Sequence, residues 1–286
     1  MDSHLEKLRE VQKEAWNKSS AGWKKWDEIM MTFLSPMTVE IIHMLCLRDD
    51  DIVMDAATGT GEPGLTIASM LKRGKVKGTD LSEGMLAVAS ENAARRGIYN
   101  FETACCDVSI LPFQNDTFTA VSCRLGLNLF PDMQLALKEM LRVLKPGGRI
   151  AASVWGTPEK NPWIAINMET MISMLQLKPP TPGAPGAFRC AKPGLMTDLF
   201  RESGLKNISE KEVVGKFKCD TLETYWSFIT ETSSPVVYSN ANEALKQQIK
   251  NEVLGKVSQK LSSGHISLDS CAIVIYGEKY YSGSTT

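Results

Sequence analysis

Val53-Met54-Asp55-Ala56-Ala57-Thr58-Gly59-Thr60-Gly61-Glu62-Pro63-Gly64 decides the fold of this 286-residue chain. It reads as an apolar strand ending in a carboxylate, then a glycine turn, then a helix start. The same order recurs downstream. Val76–Asp80 is a second strand closed by an acid, and Phe101–Asp107 is a third. Between them the residues predict a helix over 62–73, with Pro63 in its first turn and Gly74 past its end. A second helix starts at Ser82, a good N-cap, and runs to Arg96, where Gly97 stops it. Phe118–Cys123 and Arg149–Trp155 are the fourth and fifth strands. They flank a helical stripe of Met133, Leu137, Met140, Leu141 and Leu144. Strands separated by helices pair in parallel through right-handed crossovers.

Outward from this core, residues 1–48 carry no strand signal and read as an N-terminal helical cap. Trp16, Trp23 and Trp26 fall at helical spacings, with a break expected at Ser19-Ser20-Ala21-Gly22. These tryptophans either anchor the helices to the core or close over a ligand. After Gly156 comes an apolar helix with Met168, Met171 and Met174. A long loop follows, Pro179-Pro180-Thr181-Pro182-Gly183-Ala184-Pro185-Gly186, of the irregular kind that functional loops take. A helix over 193–203, a strand near 208–217, a helix carrying Leu245, Ile249, Val253, Val257 and Leu261, and a strand over 268–276 complete the chain. The fold expected is α/β: a Rossmann-like, doubly wound, mostly parallel seven-stranded sheet with helices on both faces. The expected organisation is a cap over 1–48, one domain over 49–277 with a cap or lid insertion around 157–191, and a frayed tail over 278–286.

Composition narrows the function. Lys and Arg (32) nearly balance Asp and Glu (33), so no basic footprint marks nucleic acid as a partner. No apolar run reaches the roughly 20 residues of a membrane span, and the polar N-terminus is no signal peptide. The seven cysteines are scattered, without a Cys-x-x-Cys pair. They read as free thiols of a reducing cytoplasm, and no metal site is expected.

In such a sheet a ligand binds outside the carboxyl ends of the strands, where the order reverses. Glycines allow close backbone approach there, and amides at the helix start favour an anionic group. Gly59-x-Gly61-x-x-Gly64 matches the dinucleotide fingerprint, and Asp80 lies where a ribose-binding acid belongs. An NAD(P)-dependent oxidoreductase is therefore one reading. Asp55 and Asp107 pull away from it: three carboxylates would repel a pyrophosphate, and they suit a ligand carrying a sulfonium and an ammonium.

Further motifs lie in order. They are Gly78-Thr79-Asp80-Leu81-Ser82-Glu83-Gly84-Met85-Leu86, then Cys106-Asp107-Val108 with Leu111-Pro112-Phe113, then Leu144-Lys145-Pro146-Gly147-Gly148-Arg149. Over about residues 50–156 the chain resembles class I S-adenosylmethionine (SAM) dependent methyltransferases of the ubiquinone/menaquinone type. The resemblance implies SAM as cofactor. The methyl acceptor is expected to be small and partly apolar, because Trp155, Trp163, the Met168–Met174 stripe and the proline loop either line an apolar pocket beyond the fifth strand or pack the core. The resemblance implies that Asp80 binds the ribose hydroxyls, Asp107 and the Val108 amide the adenine, and that Leu81 and Met85 pack on the adenosine. It implies that Gly59 and Gly61 make room for the methionine part, that Asp55 orients it, that Cys123 and Arg124 border the sulfonium, and that Ala57 is among the cofactor-binding residues. The chain departs from the family where Ala57-Thr58 replaces Gly-Cys and Thr119 replaces Asp. It also lacks an Arg-Asn pair in Leu125-Gly126-Leu127-Asn128. None of His4, His43 and His265 follows the fourth strand, so no general base is assigned. A SAM-binding protein without turnover is the remaining alternative.

Overall fold

The computed structural model describes residues 3–178, 181–233, 241–262 and 265–280. Strand β1 (Ile52–Ala56) is central. Val53 and Met54 point to opposite faces and both are fully buried, as in a strand with parallel neighbours and helices on both sides. β2 (Lys75–Asp80) and β3 (Phe101–Cys105) extend the sheet one way, β4 (Phe118–Arg124) and β5 (Leu144–Trp155) the other, all in parallel. β8 (His265–Lys279) adds antiparallel to β5, and β6 (Leu205–Cys219) antiparallel to β8. The order is β3-β2-β1-β4-β5-β8-β6, with a two-residue β7 (Leu261–Ser262) paired to β8. The seven long strands match the sheet read from the sequence, and their order reverses between β1 and β4.

Three apolar clusters hold this frame. On one face α2 (Asp27–Leu45), α3 (Gly64–Met70) and α4 (Glu83–Arg95) bury Ile41, Leu45, Leu65, Ile67, Ala89 and Ala93 against Val53, Val76 and Ala120. On the other, α5 (Met133–Val143) and α7 (Leu195–Glu202) pack Leu137, Met140 and Phe200 against Met54, Val121 and Ile150. The third cluster gathers Phe33, Trp155, Trp163, Phe217 and Phe228 with residues of α6 (Pro162–Met174), α8 (Leu222–Thr232) and α9 (Glu243–Ser258). α4 begins as expected: the Ser82 hydroxyl accepts from the Met85 amide at 3.1 Å.

Several local expectations are corrected. No break occurs at 19–22: α1 (Ser3–Lys25) runs through it and the chain turns at Trp26. The Ser19 and Ser20 hydroxyls donate back to the carbonyls of Ala15 and Asn17, so neither side chain competes with the helix. Gly22 lies on α8 so closely that a Cβ would sit 2.3 Å from the Glu231 carbonyl oxygen. We expect Gly22→Val to push the two helices apart and lower stability by about 1–3 kcal/mol; an unchanged thermal midpoint would refute this contact. Leu261 leaves α9 for β7, because its helix ends at Ser258. α8 went unpredicted. β8 continues to Lys279, into the stretch read as tail, and residues 281–286 and 179–180 lie outside the described residues. α2 is long and apolar enough to cross a membrane by length and composition alone. Its Met30, Phe33, Leu34, Met37, Ile41 and Leu45 are instead buried within the protein.

Candidate functional site

The carboxyl ends of β1 to β4 open onto a cavity of about 600 Å³. Its polar end is built on the turn after β1. Ala57 (φ 52°) and Gly59 (φ 55°) take left-handed backbone and Gly61 lies at φ 115°. Two of these three are glycines, which reach such angles without strain, whereas Ala57 pays about 1–2 kcal/mol where the family's glycine would not. Asp80 ties the turn down: its Oδ2 accepts from the Gly59 amide and its Oδ1 from the Ser82 amide, both at 2.9 Å. Asp80 is also one of the residues lining the cavity, and burial raises its pKa above the usual range. Asp107 lies just past β3. Its Oδ1 accepts from the Ser109 amide at 2.8 Å, and its Oδ2 pairs with Arg9 of α1 at 2.6 Å.

Of the residues read from the sequence, Ala57, Gly59, Asp80, Leu81, Met85, Asp107, Val108 and Arg124 line this one cavity. Asp55, Gly61 and Cys123 are not among its lining residues. Asp55 is fully buried, and its carboxylate accepts from Thr58 Oγ1 (2.6 Å), Ser122 Oγ (2.7 Å) and the Gly64 amide (3.0 Å). It holds the turn from behind. Burial pushes its pKa up to about 6, against the opposing pull of those three donors. Gly61 faces the Leu65 side chain, and Cys123 is packed in the core. Burial also pushes the Cys123 and Cys106 thiols up to about 12, so neither is a thiolate nucleophile at neutral pH.

The N-terminal helix lies over the cavity, and sequence reasoning named its tryptophans but not its polar contacts. α1 contributes Arg9, Gln12, Trp16 and Trp23 to the lining. Gln12 donates to the Leu129 carbonyl at 2.6 Å, and Asn17 accepts from Ser82 Oγ (2.7 Å) and the Gly84 amide (3.0 Å). Trp23 Nε1 donates to the Thr232 carbonyl at 3.3 Å. The helix thus bridges the start of α4, the segment after β4 and the end of α8. Glu62 was also missed; it lines the cavity, pairs with Arg96, and accepts from the Thr66 amide. No local pattern marks such contacts, because partners lie tens of residues away.

The other end of the cavity is apolar. Met30, Phe33 and Leu34 of α2, Trp155, and Trp163, Ile164, Met168 and Met171 of α6 form it. Asn128 closes one side, its Nδ2 donating to the Gly186 carbonyl while its buried Oδ1 has no protein partner. Among the described residues no histidine lines the cavity, and no three His, Cys, Asp or Glu side chains gather as a metal site.

Residues 27–163 match the model of the ubiE/COQ5 methyltransferase family. The ubiquinone/menaquinone biosynthesis C-methyltransferase UbiE of Desulfotalea psychrophila is 31% identical over 183 residues, covering 61% of this chain and 72% of that protein. The UbiE of Geobacter sulfurreducens is 40% identical over 119 residues, 40% of this chain and 46% of its own. The demethylmenaquinone methyltransferase of Bacillus subtilis is 31% identical over 137 residues, 48% and 54%. The chain therefore spans about half the length of these last two. A SAM-dependent methyltransferase from Aquifex aeolicus superposes with a TM-score of 0.55 at 16% identity, over 91% of this chain and 98% of that one. That likeness concerns the fold.

Proposed function

We propose, from the premise that the chain belongs to the ubiE/COQ5 methyltransferase family, that it transfers a methyl group from SAM to a small, partly apolar acceptor. One observation supports this most. The acids Asp80 and Asp107 share a single cavity with an aromatic compartment, so a polar nucleoside and an apolar acceptor fit end to end. The residues at the polar end suit the cofactor: an acid at the end of β2 for vicinal hydroxyls, a second acid past β3, and a turn whose backbone leaves room. The cofactor supplies a methyl group already activated as a sulfonium.

The chain supplies position. Asp80 and Asp107 hold the nucleoside end, and Leu81 and Met85 pack on it. Phe33, Trp155 and Trp163 press on an acceptor's ring and keep water away from the reacting atoms. Orientation of this kind is worth on the order of 7–11 kcal/mol of barrier. The relatives named above are quinone-pathway enzymes, and an aromatic ring is the acceptor that the aromatic compartment favours in our reading. The insertion over 157–191 contributes α6 to its wall, and the helices of 1–48 cover it. The segment after β4 carries Asn128 instead of an Arg-Asn pair, so the ring's substituents differ from those of the relatives' substrates in our reading.

The nicotinamide reading has no comparable support. Titration calorimetry with S-adenosylhomocysteine and with NADH separates the two: heat with the first and none with the second is expected, and the reverse would overturn the proposal. Labelled SAM offered with quinols, phenols, thiols and amines then tests turnover. Transfer to none of them would leave a SAM-binding protein without catalysis.

A further inference from the structure

Arg124 ends β4 and lies on the cavity wall with 9% of its surface exposed. Its Nη1 donates to Thr38 Oγ1 at 2.9 Å. Among the described residues no carboxylate stands within ion-pair distance of it, whereas the neighbouring cations are matched: Arg9 by Asp107, Arg96 by Glu62, Arg95 by Asp27. The acids that reach it only from farther away are Glu62, Asp55 and Asp27. A guanidinium so buried is costly unless a counter-charge joins it, and one beside a sulfonium would be repelled. Both difficulties vanish if the ligand itself carries an anion there.

Strand order says which anion. Asp107 follows β3, Asp80 ends β2, the glycine turn follows β1, and Arg124 ends β4, and these four strands are consecutive neighbours. If Asp107 and Asp80 hold the nucleoside end, as proposed above, the amino-acid tail falls toward the ends of β1 and β4. We propose that Arg124 is the binding residue for the α-carboxylate of the cofactor's methionine part, a charge-assisted contact that its planar fork suits. This rests on the SAM reading above.

The test compares two ligands in the whole protein: S-adenosylhomocysteine, which has the carboxylate, and 5′-methylthioadenosine, which lacks the amino acid. Arg124→Gln is expected to weaken the first about 10- to 30-fold and to leave the second within twofold, with Arg124→Lys in between. Equal loss of both in a folded variant overturns the proposal. So does no loss of either; a raised KM for an anionic acceptor alone would then assign Arg124 to the acceptor. If Arg124→Gln does not fold, the wild type decides: S-adenosylhomocysteine should bind at least tenfold tighter than its α-carboxamide, and equal affinity refutes the contact. A wild type that binds none of these nucleosides would instead overturn the cofactor reading.

Discussion

Asp55→Ala is expected to destabilise the fold by about 2–4 kcal/mol, although Asp55 touches no cavity surface. The substitution strands the Thr58 and Ser122 hydroxyls and the Gly64 amide in the core, each a buried donor without an acceptor. It also leaves a small void behind the turn. Loss of the buried charge offsets part of this, since burial already holds the carboxyl at about 6. The pH dependence follows with a definite sign. The folded pKa lies above the ordinary 3.8, so the folded state binds the proton more tightly. The resulting stability is fully present below about 3.8 and is lost as pH rises through about 6. Urea midpoints of wild type and Asp55→Asn, followed from pH 7.5 to 4.5, should show the wild type gaining on the variant as pH falls, by about 2 kcal/mol. Parallel curves would show that this carboxyl does not titrate in that window.

The second large effect concerns ligand affinity. Asp80→Ala should weaken S-adenosylhomocysteine by about 1.5–3 kcal/mol, roughly 10- to 150-fold. Two losses combine: the acid proposed to take the ribose hydroxyls disappears, and the Gly59 and Ser82 amides lose their shared acceptor, so the turn loosens. Asp80→Asn separates them, because it keeps a carbonyl oxygen for one amide. Calorimetric affinity close to wild type in a folded Asp80→Ala protein would remove Asp80 from the site.

The contrast between these two acids shows what the sequence could tell. Both close apolar strands, and both were read as ligand contacts. Periodicity locates a strand end, but it does not aim the side chain. What turns Asp55 inward is Ser122, contributed by β4 from 67 residues away. The frame was legible for the opposite reason. Buried parallel strands, N-caps such as Ser82 and stops such as Gly97 are local signals that the tertiary structure leaves in place. Where long-range packing wins, local reading fails: Gly22 reads as a breaker until Glu231 lies against it. Thr221 caps α8 by accepting from the Thr224 amide, yet the helix went unread, because its aromatic residues fit a strand as well. The aromatic compartment was legible as residue types, and its union with Asp80 and Asp107 in one cavity was not.

One arrangement at the cavity has a consequence for how molecules arrive. Arg9 already neutralises Asp107, and Arg96 neutralises Glu62. What is left is an acid at Asp80 and a guanidinium at Arg124, opposite in sign and close to cancelling. Seen from bulk solvent such a mouth has little field to pull on a charged visitor, so capture proceeds by unguided diffusion. Selection is exercised only after contact, and added salt should scarcely alter the association rate.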